Sequence, residues 1–79
     1  MKVRVDIVLK EGVLDPQGKA IGHALGSLGF KGIGEVRAGK VIELELDEKD
    51  VAKAKESAKE MAEKLLANLV IEDYRISVL

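Results

Sequence analysis

Any chemistry in this 79-residue chain would have to come from a short set of side chains. His23 is its single histidine, and cysteine is absent. A metal site or a nucleophile–base pair needs a second His, a Cys or a well-placed carboxylate close by, and His23 has none of these around it. Helical spacing sets it opposite Ile21, Ala24, Leu25 and Leu28, the position of a solvated residue. Ser27 and Ser77 lie in no nucleophile-elbow sequence. Neither the phosphate-binding G-x-x-x-x-G-K-[ST] nor a strand-linked G-x-G-x-x-G occurs, since Gly32-x-Gly34 leads toward a strand instead of a helix. The carboxylates between Glu56 and Glu63 alternate with Lys59 and Lys64 as surface ion pairs do, whereas a catalytic pair needs burial to separate its pKa values. The spacing therefore predicts a chain with no catalytic residue and no metal site of its own.

The elements that would position those side chains must fit within one domain. A chain this short hides only about 60% of the surface its unfolded form exposes. Small domains usually compensate with disulfides, metals or association. Without cysteine, self-association is the expected route, and a reducing cytoplasm the expected compartment. No uncharged run approaches the roughly 20 residues of a membrane span. No basic segment followed by an apolar one opens the chain, so no membrane is expected as a partner.

Thirteen basic residues face fourteen acidic ones, for a net charge of −1. Residues 1–40 hold seven Lys and Arg against four Asp and Glu; residues 41–79 hold six against ten. That is no uniform basic footprint for nucleic acid. With Phe30 and Tyr74 as the only aromatics, base stacking has little to work with. Nucleic acid is not an expected partner.

Residues 2–9 alternate, with Val3, Val5, Ile7 and Leu9 on one face and Lys2, Arg4, Asp6 and Val8 on the other, as in a half-buried strand. Asp15-Pro16 has the form of an N-cap followed by the first helical residue. The helix so begun runs to about Leu28, with Gly29 as its left-handed terminator. Gly18, Gly22 and Gly26 recur along it every four residues and would allow a close contact. Residues 30–34 form a flexible loop. A second strand follows at about Gly34–Ala38 and a third at Val41–Leu46, joined by a turn at Gly39-Lys40. Setting Val36 and Ala38 beside Ile42 and Leu44 requires a bulge or a three-residue loop there. Asp47 caps a helix over about 48–67, whose buried stripe is Val51, Ala54, Ala58, Met61, Ala62, Leu65 and Leu66. Asn68 ends it in an αL cap, and a fourth strand runs from Val70 to Leu79.

The order β-α-β-β-α-β, with each helix amphipathic on one stripe, predicts an α+β fold of two layers. This is the ferredoxin-like arrangement: a four-stranded antiparallel sheet with both helices on one face.

Three stretches together resemble one family. They are Lys10-Glu11-Gly12-Val13-Leu14-Asp15-Pro16-Gln17-Gly18-Lys19-Ala20, Val36-Arg37-Ala38-Gly39-Lys40, and Leu65-Leu66-Ala67-Asn68-Leu69-Val70-Ile71-Glu72-Asp73-Tyr74. In order and spacing they are similar to the PurS family, the small subunits of phosphoribosylformylglycinamidine (FGAM) synthase in purine biosynthesis. The resemblance implies a βαββαβ subunit that forms a homodimer or homotetramer. It also implies two further partners, a glutaminase subunit and a large synthetase subunit, which the small subunit bridges while assisting ammonia transfer. ATP and Mg²⁺ would be used by the complex, with no cofactor bound by this chain. Carried over by position, Asp15, Pro16, Gly18, Arg37, Gly39, Lys40, Asn68 and Tyr74 fall in the family motifs and become candidates for partner contact. Asp15, Pro16, Gly39 and Asn68 equally suit caps and turns, whereas no rule of folding demands the charges of Arg37 and Lys40. The sequence departs from the family pattern at Gly22, Gly26, Gly29 and Gly32, where bulkier residues are usual.

Two other classes remain open on the residues alone. One is a metabolite-sensing regulatory module in which Asp15 and Gly32-x-Gly34 line a site. The other is a small acylphosphatase-like hydrolase, which would need a phosphate-cradling loop where Glu11 stands.

Overall fold

A computed structural model describes all 79 residues. Strand β1 (Lys2–Leu9) lies at the centre of the sheet, flanked by β2 (Gly39–Glu45) and β3 (Glu72–Val78), both antiparallel to it. Helix α1 (Pro16–Ser27) follows β1, and α2 (Val51–Met61) runs on into a single π turn (Ala62–Leu66) before β3. The alternation of β1 holds: Val3, Val5 and Ile7 are buried while Lys2, Arg4 and Val8 are exposed. Apolar residues two apart on a central strand share one face, and that face forms the floor of the core.

The α+β class stands, but the four-stranded sheet does not: there are three strands. What is missing is the outermost strand, expected at Gly34–Ala38. The cause lies at Gly39. That residue pairs with Val8 inside the ladder, where a Cβ would sit 2.8 Å from the Ile7 carbonyl oxygen. Lacking a side chain, Gly39 lets β2 stay paired to β1 through the position where a hairpin turn was expected. Gly39 and Lys40 are therefore strand residues, no hairpin or bulge forms there, and the residues before them lead away from the sheet.

Only α2 covers the sheet. Its buried residues are Ala54 and Ala58, continued by Ala62 in the π turn, a seam at four-residue spacing that packs close to β1 and β3. The wider stripe expected from the sequence does not form, for Val51, Met61 and Leu65 are exposed. The π turn, closed by the Ala67 N–H to the Ala62 carbonyl at 2.8 Å, inserts a residue and sends Leu66 rather than Leu65 toward the core. Asp50, not Asp47, caps α2, its Oδ1 accepting from the Ala52 and Lys53 N–H groups. Asn68 is not an αL cap either, since no residue other than glycine has positive φ. Its Oδ1 accepts from the Val70 N–H at 3.1 Å, which makes it the organiser of the turn into β3.

Helix α1 stands off the sheet, and Gly18 is its one buried residue. It ends as expected, with Gly29 at φ 94° after Leu28. Residues 30–38 return beside it, so that α1 and this limb form an arm on a molecule measuring 48 × 25 × 15 Å.

Candidate functional site

Four of the eight motif residues, Asp15, Pro16, Gly18 and Arg37, meet at the root of this arm. Asp15 is buried, 6% exposed, and its two carboxylate oxygens are both committed. Oδ1 accepts from the Gly18 N–H at 2.8 Å, an N-cap bond. Oδ2 accepts from the Ala38 N–H at 2.7 Å, tying the start of α1 to the end of the returning limb. Pro16 occupies the first helical position, where its missing N–H costs nothing. Gly18 is there because nothing larger fits: a Cβ would lie 2.2 Å from the Val36 carbonyl oxygen and 2.8 Å from Asp15 Oδ2.

Arg37 closes the same junction from outside. Its Nη2 donates to the carbonyls of Leu9 (3.1 Å) and Lys10 (3.0 Å), and its Nη1 donates to the Val13 carbonyl (3.3 Å). Nη1 also pairs with Glu35 Oε1 at 3.2 Å. A planar guanidinium with several donors suits three carbonyls of one loop, which a lysine could not bind together. The charge of Arg37 thus serves the fold, although the sequence supplied no rule that required it.

Lys40 lies beyond the junction on β2, opposite Ile7 in the ladder, exposed and without an ion pair. Asn68 and Tyr74 belong to a different corner. Tyr74 pairs with Ile7 on the other side of β1, and its hydroxyl donates to Glu63 Oε1 at 3.0 Å, fastening the π turn to β3. Sequence reasoning missed Glu63, because its partner stands eleven positions away and only the fold brings them together.

Two ionisable groups are shifted by these environments. The N–H of Gly18, then that of Ala38 and the positive charge of Arg37, hold the Asp15 carboxyl below its ordinary value against the opposing effect of burial. Desolvation, followed by the hydrogen bond to Glu63 and its charge, raises the Tyr74 hydroxyl. Neither group suits general acid–base work. A catalytic base needs a pKa near the working pH, and that of Asp15 is shifted the other way.

Between α1 and the returning limb lies an open cleft of about 660 Å³. Asp15, Gly32 and Gly34 line it, as a metabolite site would require. Both Asp15 oxygens accept from backbone donors. The glycine row of α1 faces this cleft. Gly22 would place a Cβ 3.3 Å from Val36 Cγ2, so at Gly18 and Gly22 the row lies close to the returning limb and not to another helix, whereas Gly26 faces open space. Around the arm Leu14, Ile21, Leu28, Phe30 and Ile33 are all exposed. These apolar residues were the part of the site that sequence reasoning missed, having assigned residues 30–34 to a flexible loop. The signal was present in Phe30 and Ile33, two apolar residues that no periodic element absorbed.

His23 is exposed, and no three His, Asp or Glu side chains converge as a metal-binding group. No helix is long and apolar enough to cross a membrane. The arrangement ties the arm to the sheet at its root through Asp15 and Arg37.

Residues 2–79 match the family model for PurS, phosphoribosylformylglycinamidine (FGAM) synthase. The FGAM synthase subunit PurS of Bacillus subtilis is 52% identical over 77 residues, covering 98% of this chain and 90% of that protein. The PurS subunit of Methanocaldococcus jannaschii is 47% identical over 77 residues, covering 98% and 93%. Its crystal structure matches with a TM-score of 0.87 over 96% of this chain and 92% of that one. A chain in the structure of PurLQS from Thermotoga maritima is 33% identical and matches with a TM-score of 0.89, covering 99% and 95%.

Proposed function

The chain belongs to the PurS family of FGAM synthase subunits, and from that membership we propose that it acts in the complex by holding other subunits together. It is a subunit of a ligase, and the enzyme is the complex. The observation that carries the reading is the whole-chain match to a chain of the PurLQS structure, together with a motif cluster spent on bracing an arm. In this reading the chain bridges a glutaminase subunit and a large synthetase subunit in the cytoplasm and assists the passage of ammonia between them. ATP and Mg²⁺ belong to the synthetase subunit, and this chain supplies no catalytic group. The working form is a homo-oligomer, a dimer or a tetramer.

Reconstitution tests this directly. With glutaminase and synthetase subunits from the same source, adding the chain should bring about glutamine-dependent amidine formation. Synthesis from free ammonia should proceed without it, because that route needs no transfer between active sites. Equal glutamine-dependent rates with and without the chain would overturn the bridging role.

A further inference from the structure

The stretch from Leu65 to Tyr74 builds a corner that neither the core nor the arm accounts for. Leu65 and Val70 are each 83% exposed, more than any other large apolar residue of the chain, and Leu69 is 44% exposed beside them. The π turn is what brings Leu65 out. An α-helix continued from Ala54, Ala58 and Ala62 would turn positions 65 and 66 inward together. With one residue added to the turn, only Leu66 reaches the core. A π turn gives up regular helical bonding and recurs at functional positions. The corner is also held on both sides. Tyr74 donates to Glu63 Oε1 at 3.0 Å, the Val70 N–H to Asn68 Oδ1 at 3.1 Å, and the Asn68 N–H to Glu72 Oε1 at 2.7 Å. A turn fixed in this way loses little freedom on binding.

We propose that the corner of Leu65, Leu69 and Val70 seats in an apolar recess, rimmed by Lys or Arg, on the large synthetase subunit. It rests on the bridging role stated above and names the surface that carries one side of it. Charge selects the rim. Glu60, Glu63, Glu72 and Asp73 border the apolar residues along the chain, and salt bridges to Lys64 and Lys10 answer only Glu60 and Asp73. Glu63 and Glu72 keep their charges without a cation. A second copy of the corner therefore fits it badly, because a two-fold axis would set these carboxylates against their own counterparts. Shape selects the subunit. Side chains exposed to this degree project from the surface and fit a hollow. A large subunit is built of several domains, and hollows gather where domains meet.

Binding of the full-length chain to the purified synthetase subunit, followed by isothermal titration calorimetry, provides the test. Leu65→Gln and Val70→Gln replace exposed side chains and should leave melting followed by circular dichroism as in the parent. Each should weaken binding to the synthetase about 10- to 30-fold, the loss expected for an apolar side chain buried in the contact. Glu72→Gln keeps an oxygen for the Asn68 N–H and removes only the charge. It should weaken binding about threefold in dilute salt and less as salt is raised. Self-association, read by sedimentation equilibrium, and binding to the glutaminase subunit should match the parent in all three variants. Unchanged synthetase affinity in both Leu65→Gln and Val70→Gln would overturn the proposal. So would a loss of assembly mass or of glutaminase binding in place of synthetase binding, since the corner would then serve a copy or the other subunit. A parent chain that does not bind the synthetase would overturn it together with the bridging role. A parent that binds the synthetase yet fails to support glutamine-dependent synthesis would count against bridging alone and leave the docked corner standing.

Discussion

The sheet covered by α2 and the arm built from α1 and residues 28–38 both carry amphipathic patterns, yet they complete them differently. In the covered sheet, Val3, Val5 and Ile7 meet Ala54, Ala58 and Ala62, and all six are at most 1% exposed. In the arm, Leu28 is 74% exposed and Ile21 40%. Patterning alone thus does not say where the complementary surface lies. The covered sheet is finished by its own helix; the arm keeps its apolar residues exposed. The polar residues follow the same division. Tyr74 and Glu63 fasten the covered part internally, while Asp15, Gly18 and Arg37 are spent at the hinge where the arm leaves it.

The comparison breaks first if the covered sheet is not the seat of stability. Ile7→Ala removes the largest fully buried side chain and should cost about 2–5 kcal/mol in urea unfolding. A domain of this size has little to spare, and the variant should be partly unfolded at room temperature. A loss below about 1 kcal/mol would mean that the core collapses around the gap, and the contrast with the arm would lose its basis.

The hinge ranks next. Gly18→Ala should destabilise by about 1–3 kcal/mol, because its Cβ meets the Val36 carbonyl and the Asp15 carboxylate. Helix propensity alone predicts the opposite sign, by about 1 kcal/mol in favour of Ala. The direction of the change in thermal midpoint therefore decides whether the arm is clamped at its root or merely leans on it.

Much of this division was legible in the sequence. The alternation of Val3, Val5 and Ile7, the Asp15-Pro16 start of α1 and the glycine that ends it all act through neighbours in the chain, and all were found where expected. The outermost strand at Gly34–Ala38 was not, because a strand exists only through its partner, and the residue that denied it one was Gly39, which continued β2 by having no side chain. The roles of Arg37 and Asn68 were hidden for a related reason. Arg37 binds carbonyls more than twenty positions away, and Asn68 exchanges hydrogen bonds within a turn that replaced the expected cap. Of the motif residues, Asp15, Pro16, Gly18 and Arg37 build the root of the arm, whereas the exposed apolar residues Ile21, Leu28, Phe30 and Ile33 lie between the motifs.

Acid sharpens the account of the hinge. An unfolded Asp15 carboxyl titrates near 3.8, and in the fold it is held lower, chiefly by the Gly18 and Ala38 N–H groups. A lowered folded value means that the stabilisation is present above the unfolded pKa and is lost as pH falls through the folded one. The stability difference between the parent and Asp15→Asn should therefore be constant from about pH 7 to pH 5 and shrink below about pH 4. A difference independent of pH down to about pH 2 would show that the ionised carboxylate does not hold the hinge.

The smallest expected effect is the most discriminating one. Leu28→Gln changes an exposed residue at the tip of α1, so unfolding of the chain at a concentration low enough to keep it monomeric should shift by no more than about 0.5 kcal/mol. The same change in a buried position would cost several times that, since an amide would be left without partners. Raising the concentration should separate the two variants: the parent gains stability by mass action as copies associate, whereas Leu28→Gln gains less if its side chain lies in the contact. A variant that is destabilised even when dilute would place Leu28 inside the monomer's own core and erase the distinction between arm and covered sheet. One that matches the parent at every concentration would place the contact between copies elsewhere, leaving the apolar stripe of α1 to a different partner.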